Sequence, residues 1–329
     1  MYKIAVVGAT GLVGQKMLEV LERKQIPFNE LVLYSSPRSA GKSVEYQGKT
    51  YTVRALNEEE AVQKFDFVLM SAGGATSERF SPIFESAGSI VIDNSSAFRM
   101  HEDIDLIVPE VNSPKLKRKI IANPNCSTIQ SVVPLKPLQD KYGIRRVAYT
   151  TYQAVSGSGA AGINDLKNGA QGIAPTNYPH PIYNNALPHI DVFLDNGYTK
   201  EEQKMIDETK KILGLQDVKV TATCVRIPVQ DSHSVAINVT LDKEATVEEI
   251  KQLFENDDSV VLIDNPPDNE YPMAITATGT DHVYVGRIRR DDSLENSFHI
   301  WCTADNLLKG AALNAVQILE QIHTHQLNR

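Results

Sequence analysis

The chain of 329 residues, 42% of them hydrophobic, is long enough for one large domain or for two domains with separate cores. Its net charge of -8 and pI near 5.5 exclude the broad basic face that nucleic-acid binding requires. No apolar run approaches the length of a membrane span, and the first residues lack a signal-peptide pattern. We therefore expect a cytoplasmic protein that binds neither nucleic acid nor a membrane.

The cysteines give no sign of a structural cross-link or a metal centre. Cys126, Cys224 and Cys302 are odd in number and lie far apart in the sequence. Disulfide frameworks and zinc sites both need closer, paired spacings. We expect free thiols, a reducing compartment and no bound metal.

The chain begins with the pattern of a strand, a glycine turn and a helix. An apolar run at 3–7 leads into Gly8, Gly11 and Gly14, and a helix with one apolar face follows. This spacing allows a tight turn and a close approach of the backbone to a pyrophosphate at the helix N-terminus. A purely structural glycine turn is the alternative. The predicted cofactor contacts are the turn residues Gly8, Thr10, Gly11, Leu12 and Val13.

The end of the second predicted strand, at 31–34, suggests which dinucleotide is bound. An acidic residue at this position usually binds the ribose hydroxyl of NAD, but here the chain offers Ser36, Arg38 and Ser39. A cation with nearby hydroxyls suits a 2′-phosphate, because charge-assisted hydrogen bonds to phosphate are strong. The sequence therefore predicts NADP rather than NAD, with a solvated loop arginine as the alternative.

Further apolar runs predict that this sheet continues to about residue 121. They lie at 67–70 and 90–92, and more weakly at 106–108 and 120–121, with a helix predicted over 76–87. Arg99 follows the strand at 90–92, at the edge where parallel sheets bind ligands. Arg99 is therefore a candidate for an anionic substrate group, and a surface salt bridge is its alternative role.

The most informative stretch is Asn123-Pro-Asn-Cys-Ser-Thr128. Its turn residues precede a predicted helix, so Cys126 lies at a helix N-terminus, where unpaired N–H groups favour the thiolate. Such a thiolate could attack a carbonyl carbon. A buried structural thiol is the alternative. Pro134 and Pro137 are expected to kink or break the helix.

The second half predicts a different sheet, with strands at 146–152, 218–225, 234–241 and two near the C-terminus. Arg226 and His233 have inward parity and are predicted to lie near a hairpin junction, where they favour a site over two separate core residues. Thr199 and Glu202 predict a capping box that starts a helix, which carries Glu201 and Lys204 on one face. Residues 160–190 predict a long irregular region, which often serves binding.

Two more segments are predicted to contact the cofactor. The flexible turn at 153–159, with Ser156 and Gly157, could close over cofactor or substrate. An alanine-rich helix at 304–319 is expected to pack back on the first domain, with Asn306 near its start pointing toward the cofactor.

Four stretches are recognisable together: Gly8-Ala-Thr-Gly-Leu-Val-Gly14, Asn123-Pro-Asn-Cys-Ser-Thr128, Gln153 before Ser156-Gly-Ser-Gly159, and Arg226 with His233 seven residues later. With these the chain resembles aspartate-semialdehyde dehydrogenase, in the branch found in Gram-positive bacteria, essentially from end to end. The resemblance implies an α/β fold: a Rossmann-like parallel sheet and an α+β catalytic and dimerisation domain, with the C-terminal helix returning to the first domain. The expected domains are 1–126 with 303–329, and 127–302.

The resemblance also implies an activity. This is NADP-dependent reductive dephosphorylation of 4-phospho-L-aspartate to L-aspartate 4-semialdehyde, and the reverse reaction with phosphate. The reaction serves the biosynthesis of lysine and diaminopimelate, threonine, methionine and isoleucine. The family further implies a homodimer.

The resemblance assigns roles to matching positions. Cys126 would form an acyl-thioester, Gln153 would orient it, and His233, protonated before the attack, would act as general acid/base. The other implied ligands bind substrate or phosphate: Arg226 the α-carboxylate, Glu201 the amino group, Arg99 and Lys204 the phosphate, with Asn125 beside them.

Three other functions stay open at this stage. N-acetyl-γ-glutamyl-phosphate reductase performs the same chemistry on an acylated substrate, but an acylated nitrogen would not need Glu201, and Asn125 also argues against it. Glyceraldehyde-phosphate dehydrogenase shares the thioester chemistry but not this cysteine context. A non-catalytic NADP-binding protein with an inert Cys126 is the third.

Overall fold

The computed structural model describes residues 1–327. They form two compact units: residues 1–125 with the segment from 311 onward, and residues 126–310. The strands are β1 (Tyr2–Val7), β2 (Phe28–Ser35), β3 (Ser43–Tyr46), β4 (Lys49–Thr52), β5 (Arg54–Ala55), β6 (Phe67–Met70), β7 (Ile90–Asp93), β8 (Asp105–Leu106), β9 (Ile120–Ala122), β10 (Ile144–Gln153), β11 (Lys219–Arg226), β12 (His233–Leu241), β13 (Val260–Leu262), β14 (Val283–Arg290) and β15 (Ser297–Ala304). The helices are α1 (Leu12–Arg23), α2 (Glu58–Ala61), α3 (Gly74–Ser86), α4 (Cys126–Tyr142), α5 (Gly159–Gly169), α6 (Lys200–Leu213), α7 (Val247–Glu255), α8 (Ala274–Ala277) and α9 (Leu313–Leu327).

The first unit is built on a parallel sheet with the strand order β5-β2-β1-β6-β7-β9-β8. All residues of β6 and β9 are buried, as expected for central parallel strands covered on both faces. The predicted Rossmann-like α/β sheet is confirmed. Helix α9 packs on α1, so the C-terminal helix belongs to this unit.

The second unit has a mixed sheet with the order β11-β10-β12-β15-β14-β13. Strand β10 pairs in parallel with β11 and antiparallel with β12. The expectation that Arg226 and His233 lie near a hairpin junction is therefore wrong, because β10 lies between the two strands. Gln153, at the end of β10, therefore lies between Arg226 and His233.

Helix α4 begins at Cys126, as the sequence predicts, and continues through Pro134 and Pro137 without a break. A proline at 134 cannot donate a hydrogen bond to the carbonyl of Gln130. The thiol of Cys302 takes its place, donating to that carbonyl from 3.2 Å. A side chain from the sheet thus satisfies the backbone group that the proline leaves unpaired, and the helix is not interrupted there.

Three local predictions need correction. The region 160–190 is not irregular throughout, because α5 occupies its first third. The predicted 304–319 helix instead begins with a π-helical turn, Leu308–Ala312, which leads into α9. The turn at 155–158 is a 3₁₀ helix rather than a flexible loop. Over residues 1–327, no helix combines the length and apolar character needed to cross a bilayer.

Candidate active site

The glycine turn of the first unit has two glycines with steric roles and one that faces a cavity. A Cβ on Gly8, whose φ is +84°, would lie 2.1 Å from the carbonyl oxygen of Ser71, and one on Gly14 would lie 2.2 Å from that of Gly8. At Gly11 the nearest atom would be 3.3 Å away. Gly8 and Gly14 are thus needed for the turn itself, whereas a Cβ on Gly11, which lines the cavity, would make a tight contact without a severe overlap.

This cavity has a volume of about 470 Å³ and its chemistry suits a dinucleotide phosphate. Its lining contains no carboxylate among the described residues. Helix α1 starts here with no side-chain cap and no acidic residue in its first turn, so its N-terminal N–H groups are suited to a phosphate. The polar lining comes from the segments that follow β1, β2 and β6 and from α3: Thr10, Ser35, Ser36, Ser39, Ser71, Thr76 and Arg79.

Two arginines are near the predicted 2′-phosphate position. Arg38 is exposed within the short 3₁₀ helix Pro37–Ser39 that follows β2. Arg79, which sequence reasoning missed, lines the cavity from α3 and donates to Glu58 at 2.9 Å. It lies one helical turn from Thr76, after the small-residue turn at 71–74, and that turn was the signal that could have identified it.

Arg99 is anchored within the first unit rather than paired on the surface. Its Nε donates to the carbonyl of Asn123 at 2.9 Å, and its Nη2 donates to that of Asn94 at 3.0 Å. The amide of Asn123 is itself held, since Asn314 of α9 donates to its Oδ1 at 2.7 Å. The turn that precedes Cys126 is therefore fixed by buried amides and one guanidinium, and Asn125 in it is also buried.

Cys126 differs from the other two cysteines. Burial raises the pKa of the Cys224 and Cys302 thiols, which keeps both protonated. Cys126 is half-buried at the first residue of α4, where the helix macrodipole favours a thiolate. A Cβ on Gly310, in the π-helical turn, would lie 2.9 Å from the Cβ of Cys126, so this turn packs directly against the cysteine.

Three neighbouring strand ends bring the predicted polar residues together. Gln153 at the end of β10 is in register with Arg226 of β11. On the other side of β10, Tyr152 is paired with Ser234 of the antiparallel strand β12, so His233 lies beside Gln153. The amide of Gln130, one turn along α4 from Cys126, donates to the carbonyl of His233 at 3.1 Å. The cysteine helix and these strand ends are thus held together within one unit.

His233 is fully buried and held in one orientation. The backbone N–H of Ala154 donates to Nδ1 at 2.9 Å. Burial and the charge of Arg226 lower the pKa of His233 to about 3, so the ring is neutral at physiological pH. The expectation of a histidine protonated before the attack is therefore wrong for this state. The neutral tautomer carries its proton on Nε2.

Arg226 and His233 each have a buried donor without a hydrogen-bond partner among the described residues, and both side chains lie beside Gly157. The donors are Nε of Arg226 and Nε2 of His233. A Cβ on Gly157 would lie 3.1 Å from Nη1 of Arg226 and 3.4 Å from Nε2 of His233. Buried polar groups are normally paired, so unsatisfied donors on two neighbouring buried side chains indicate a ligand site.

A series of contacts between charged side chains starts at Gln153. Its amide donates to Glu201 at 3.1 Å, and Glu201 pairs with Lys204 at 3.1 Å. Lys204 also pairs with Asp191 at 2.8 Å, a partner that sequence reasoning missed because it lies on a preceding loop. Burial alone would lower the pKa of Lys204, but the two carboxylates outweigh it and raise the pKa.

Ser156 and Asn306, predicted to contact the cofactor, are buried in the second unit and bonded to each other. The amide of Asn306 donates to the hydroxyl of Ser156 at 3.0 Å, and its oxygen accepts from the backbone N–H of Ser232 at 2.8 Å. These bonds hold the start of the 3₁₀ turn beside Gly157.

This fold and these side chains define a nucleotide-dependent dehydrogenase with a cysteine in its second unit. Two family models match the chain: "Semialdehyde dehydrogenase, NAD binding domain" over residues 3–119 and "Semialdehyde dehydrogenase, dimerisation domain" over residues 135–309. The chain belongs to the aspartate-semialdehyde dehydrogenase family.

Individual relatives match over nearly their full length. The aspartate-semialdehyde dehydrogenase of Aquifex aeolicus is 53% identical, with 97% of each chain covered. A crystal structure of aspartate semialdehyde dehydrogenase II from Vibrio cholerae, complexed with ASA, is 43% identical, with a TM-score of 0.94 and 98% of each chain covered. The Candida albicans enzyme with NADP is 26% identical, with a TM-score of 0.76 and 98% of each chain covered.

Proposed function

We propose that this protein is an NADP-dependent aspartate-semialdehyde dehydrogenase. It converts 4-phospho-L-aspartate to L-aspartate 4-semialdehyde with release of phosphate, and catalyses the reverse reaction, in the biosynthesis of lysine, diaminopimelate, threonine, methionine and isoleucine. The observation that carries this function is the pair of buried, unsatisfied donors on Arg226 and His233 beside the cysteine helix. Family membership gives the substrate class that these donors would bind.

The substrate's charged ends match the side chains at the strand ends. Arg226 would bind the α-carboxylate through Nε, the donor without a partner in the structure. Glu201, which accepts from Gln153 at 3.1 Å, would bind the ammonium group. Lys204 would bind the phosphate, and Arg99, buried and anchored to two carbonyls, has the charge for the same role.

Cys126 would act as the nucleophile. Its thiolate attacks the C4 carbonyl, a carbon–sulfur bond forms, and the carbon–oxygen bond to phosphate breaks. Bound NADPH supplies the hydride that reduces the resulting thioester. When the carbon–sulfur bond then breaks, the aldehyde leaves and the thiolate of Cys126 is regenerated. Gln153, held by Glu201, would orient the acyl group on the sulfur.

His233 would act from Nε2. This atom bears the proton of the neutral ring, so it can donate a hydrogen bond to the carbonyl oxygen as that oxygen becomes negative. A negative charge beside the ring raises its pKa, which lets it share or transfer the proton during the reaction. Because the ring is neutral beforehand, the thiolate depends on the start of α4 rather than on an imidazolium.

The residues of the first unit fit NADP. The cavity at the glycine turn offers the uncapped N-terminus of α1, several hydroxyls and Arg79, and the described residues of its lining include no carboxylate, while Glu58, which pairs with Arg79, lies outside the lining. Gly8, Thr10, Gly11, Leu12 and Val13 would hold the pyrophosphate, and Ser36, Arg38 and Ser39 the 2′-phosphate. In the second unit, Ser156, Gly157 and Asn306 would complete the contacts.

A substrate comparison tests this function. Purified protein is supplied with NADP, phosphate and either aspartate semialdehyde or N-acetylglutamate semialdehyde, and NADPH formation is followed. We expect phosphate-dependent reduction with the first aldehyde only. Equal or better turnover of the acetylated aldehyde would favour the reductase alternative, and no turnover with either would favour a non-catalytic NADP-binding protein.

We also propose that the protein is a cytoplasmic homodimer. The family model for dimerisation spans residues 135–309, and the three cysteines are free thiols, as a reducing compartment allows. Light scattering at micromolar concentration is expected to give twice the 36.4 kDa chain mass. A monomer that is fully active would contradict the dimer.

A further inference from the structure

Residues 170–187, which follow α5 and which we name the anchored segment, are attached to the second unit by one carboxylate. Asp165 of α5 is buried and accepts from the backbone N–H groups of Thr176 at 2.9 Å, Asn177 at 2.8 Å and Tyr178 at 2.9 Å. The hydroxyl of Thr176 adds a fourth bond at 3.1 Å. Three successive N–H groups bound to one buried carboxylate fix the backbone of this segment, although little regular structure is present there.

Apolar packing supports the same attachment. Val155, Ile182 and Leu187 form a buried cluster, with Tyr178 packed against it. The hydroxyl of Tyr178 donates to that of Ser158 at 3.0 Å. The segment therefore rests on the 3₁₀ turn that carries Ser156 and Gly157.

The anchored segment touches Arg226 at two points. The guanidinium carbon of Arg226 lies 6.0 Å from the centre of the Tyr178 ring, within the range of a cation–π contact. Leu187 forms an antiparallel bridge with Arg226, with N–H to carbonyl distances of 2.9 and 2.8 Å. Nη1 of Arg226 also donates to the carbonyl of Ala154. The bridge with Leu187 thus holds the backbone of Arg226, while the carbonyl of Ala154 and the ring of Tyr178 contact its guanidinium.

We propose that Tyr178 is a positioning residue for Arg226, and that the anchored segment forms one wall of the subsite for the substrate's α-carboxylate. This inference rests on the proposed function, in which Arg226 binds that carboxylate. A guanidinium must be aligned before it can bind a carboxylate with two parallel bonds, so a lost ring contact weakens substrate binding. The contact joins Tyr178 to Arg226, so binding of aspartate semialdehyde should be affected more than binding of phosphate or NADP.

The test compares variants of Tyr178 in the full chain, with aspartate semialdehyde, phosphate and NADP as the three varied ligands. Tyr178→Leu removes the ring, and Tyr178→Phe keeps the ring but removes the hydroxyl. We expect Tyr178→Leu to raise the KM for aspartate semialdehyde roughly fivefold, the size of one exposed cation–π contact, with little change in kcat. Tyr178→Phe should stay close to wild type, and so should Tyr183→Leu, a matched change at an exposed tyrosine of the same segment.

Two further variants keep the test decisive if Tyr178→Leu does not fold. Tyr178→Met replaces the ring with a flexible apolar side chain. Asp165→Asn retains the ring but loosens the segment that positions it. Both should raise the KM for aspartate semialdehyde by a larger factor than they change the KM for phosphate or the Kd for NADP. The proposal is overturned if the KM for aspartate semialdehyde is unaltered, or if all three ligands are affected equally.

Different results would refute the proposed function and the role of Tyr178. An inactive wild-type protein in the aldehyde assay would refute the proposed function. Active wild type with an unchanged KM in Tyr178→Leu and Tyr178→Met would refute only the role of Tyr178.

Discussion

The N–H of Ala154 donates to Nδ1 of His233 across 2.9 Å, and this bond decides what the histidine can do. Because Nδ1 accepts, the proton of the neutral ring must be on Nε2, which faces the space beside Arg226 and Gly157. The backbone N–H of Ala154 thus sets the tautomer of His233, the residue proposed as the general acid.

This environment gives a prediction for stability against pH. The pKa of His233 is about 3 in the folded protein, whereas the ordinary value is 6.5. Between these values the unfolded chain binds a proton that the folded chain does not. Stability should therefore fall as the pH is lowered from about 6.5, by up to about 1.4 kcal/mol per pH unit from this residue.

Urea unfolding of wild type and His233→Gln at pH 8, 6 and 5 measures this effect. The variant lacks the titrating ring, so its stability should depend less steeply on pH over this range. Parallel pH profiles for the two proteins would show that His233 is not the source of the dependence.

A second prediction separates two glycines of the same turn. Gly14→Ala would place a Cβ 2.2 Å from the carbonyl oxygen of Gly8 and should destabilise the protein by at least about 2 kcal/mol. Gly11→Ala would make a tight contact of 3.3 Å at a φ of -82°, so the free energy of unfolding should fall by no more than about 1 kcal/mol.

Because Gly11 lines the cavity, Gly11→Ala should nevertheless weaken NADP binding. Chemical denaturation and NADP titration of both variants provide the measurements. A stable Gly11→Ala protein with wild-type NADP affinity would show that the pyrophosphate does not bind at this turn.

The cofactor preference gives a third prediction. Arg38→Leu and Arg79→Leu should each raise the Kd for NADP roughly tenfold, the loss of one charge-assisted contact, and change the Kd for NAD much less. Arg54→Leu is the matched control, since Arg54 pairs with Glu60 and does not line the cavity. Titration with both dinucleotides measures these constants, and equal losses for NADP and NAD would contradict a 2′-phosphate contact.

The pairing of Lys204 with two carboxylates gives a fourth prediction. If Lys204 binds phosphate as proposed, Asp191 competes with phosphate for its ammonium group, so Asp191→Asn should lower the KM for phosphate roughly threefold. Asparagine tolerates the φ of 68° at this position and can keep the bond from the N–H of Val192 to Oδ1. Steady-state kinetics with varied phosphate measure the effect.

Asp195→Asn removes the same charge from an exposed position of that loop and serves as the control. A raised KM for phosphate in Asp191→Asn alone would show that Asp191 orients Lys204 instead of competing for it.

Local patterns were predictable from the sequence, and long-range neighbours were not. The capping box of Thr199 and Glu202 involves residues three apart, and the structure confirms it. The β3–β4 hairpin was missed, although its turn at Gln47 and Gly48 has positive φ at both residues and glycine was the available signal.

The position of β10 between β11 and β12 depends on tertiary packing, so the neighbours of Gln153 could not be derived from spacing. The same holds for the pairing of Asp191 with Lys204 and for the contact of Tyr178 with Arg226. In each case the partner lies on another segment, and its position depends on how the two segments pack together.

The most direct test of the account is turnover by Cys126→Ala, measured as phosphate-dependent NADP reduction by aspartate semialdehyde, with NADP affinity determined on the same sample. A protein without its nucleophile should lose at least about a thousandfold in kcat and bind NADP as tightly as wild type. Turnover within tenfold of wild type would contradict the assignment of Cys126 as the nucleophile.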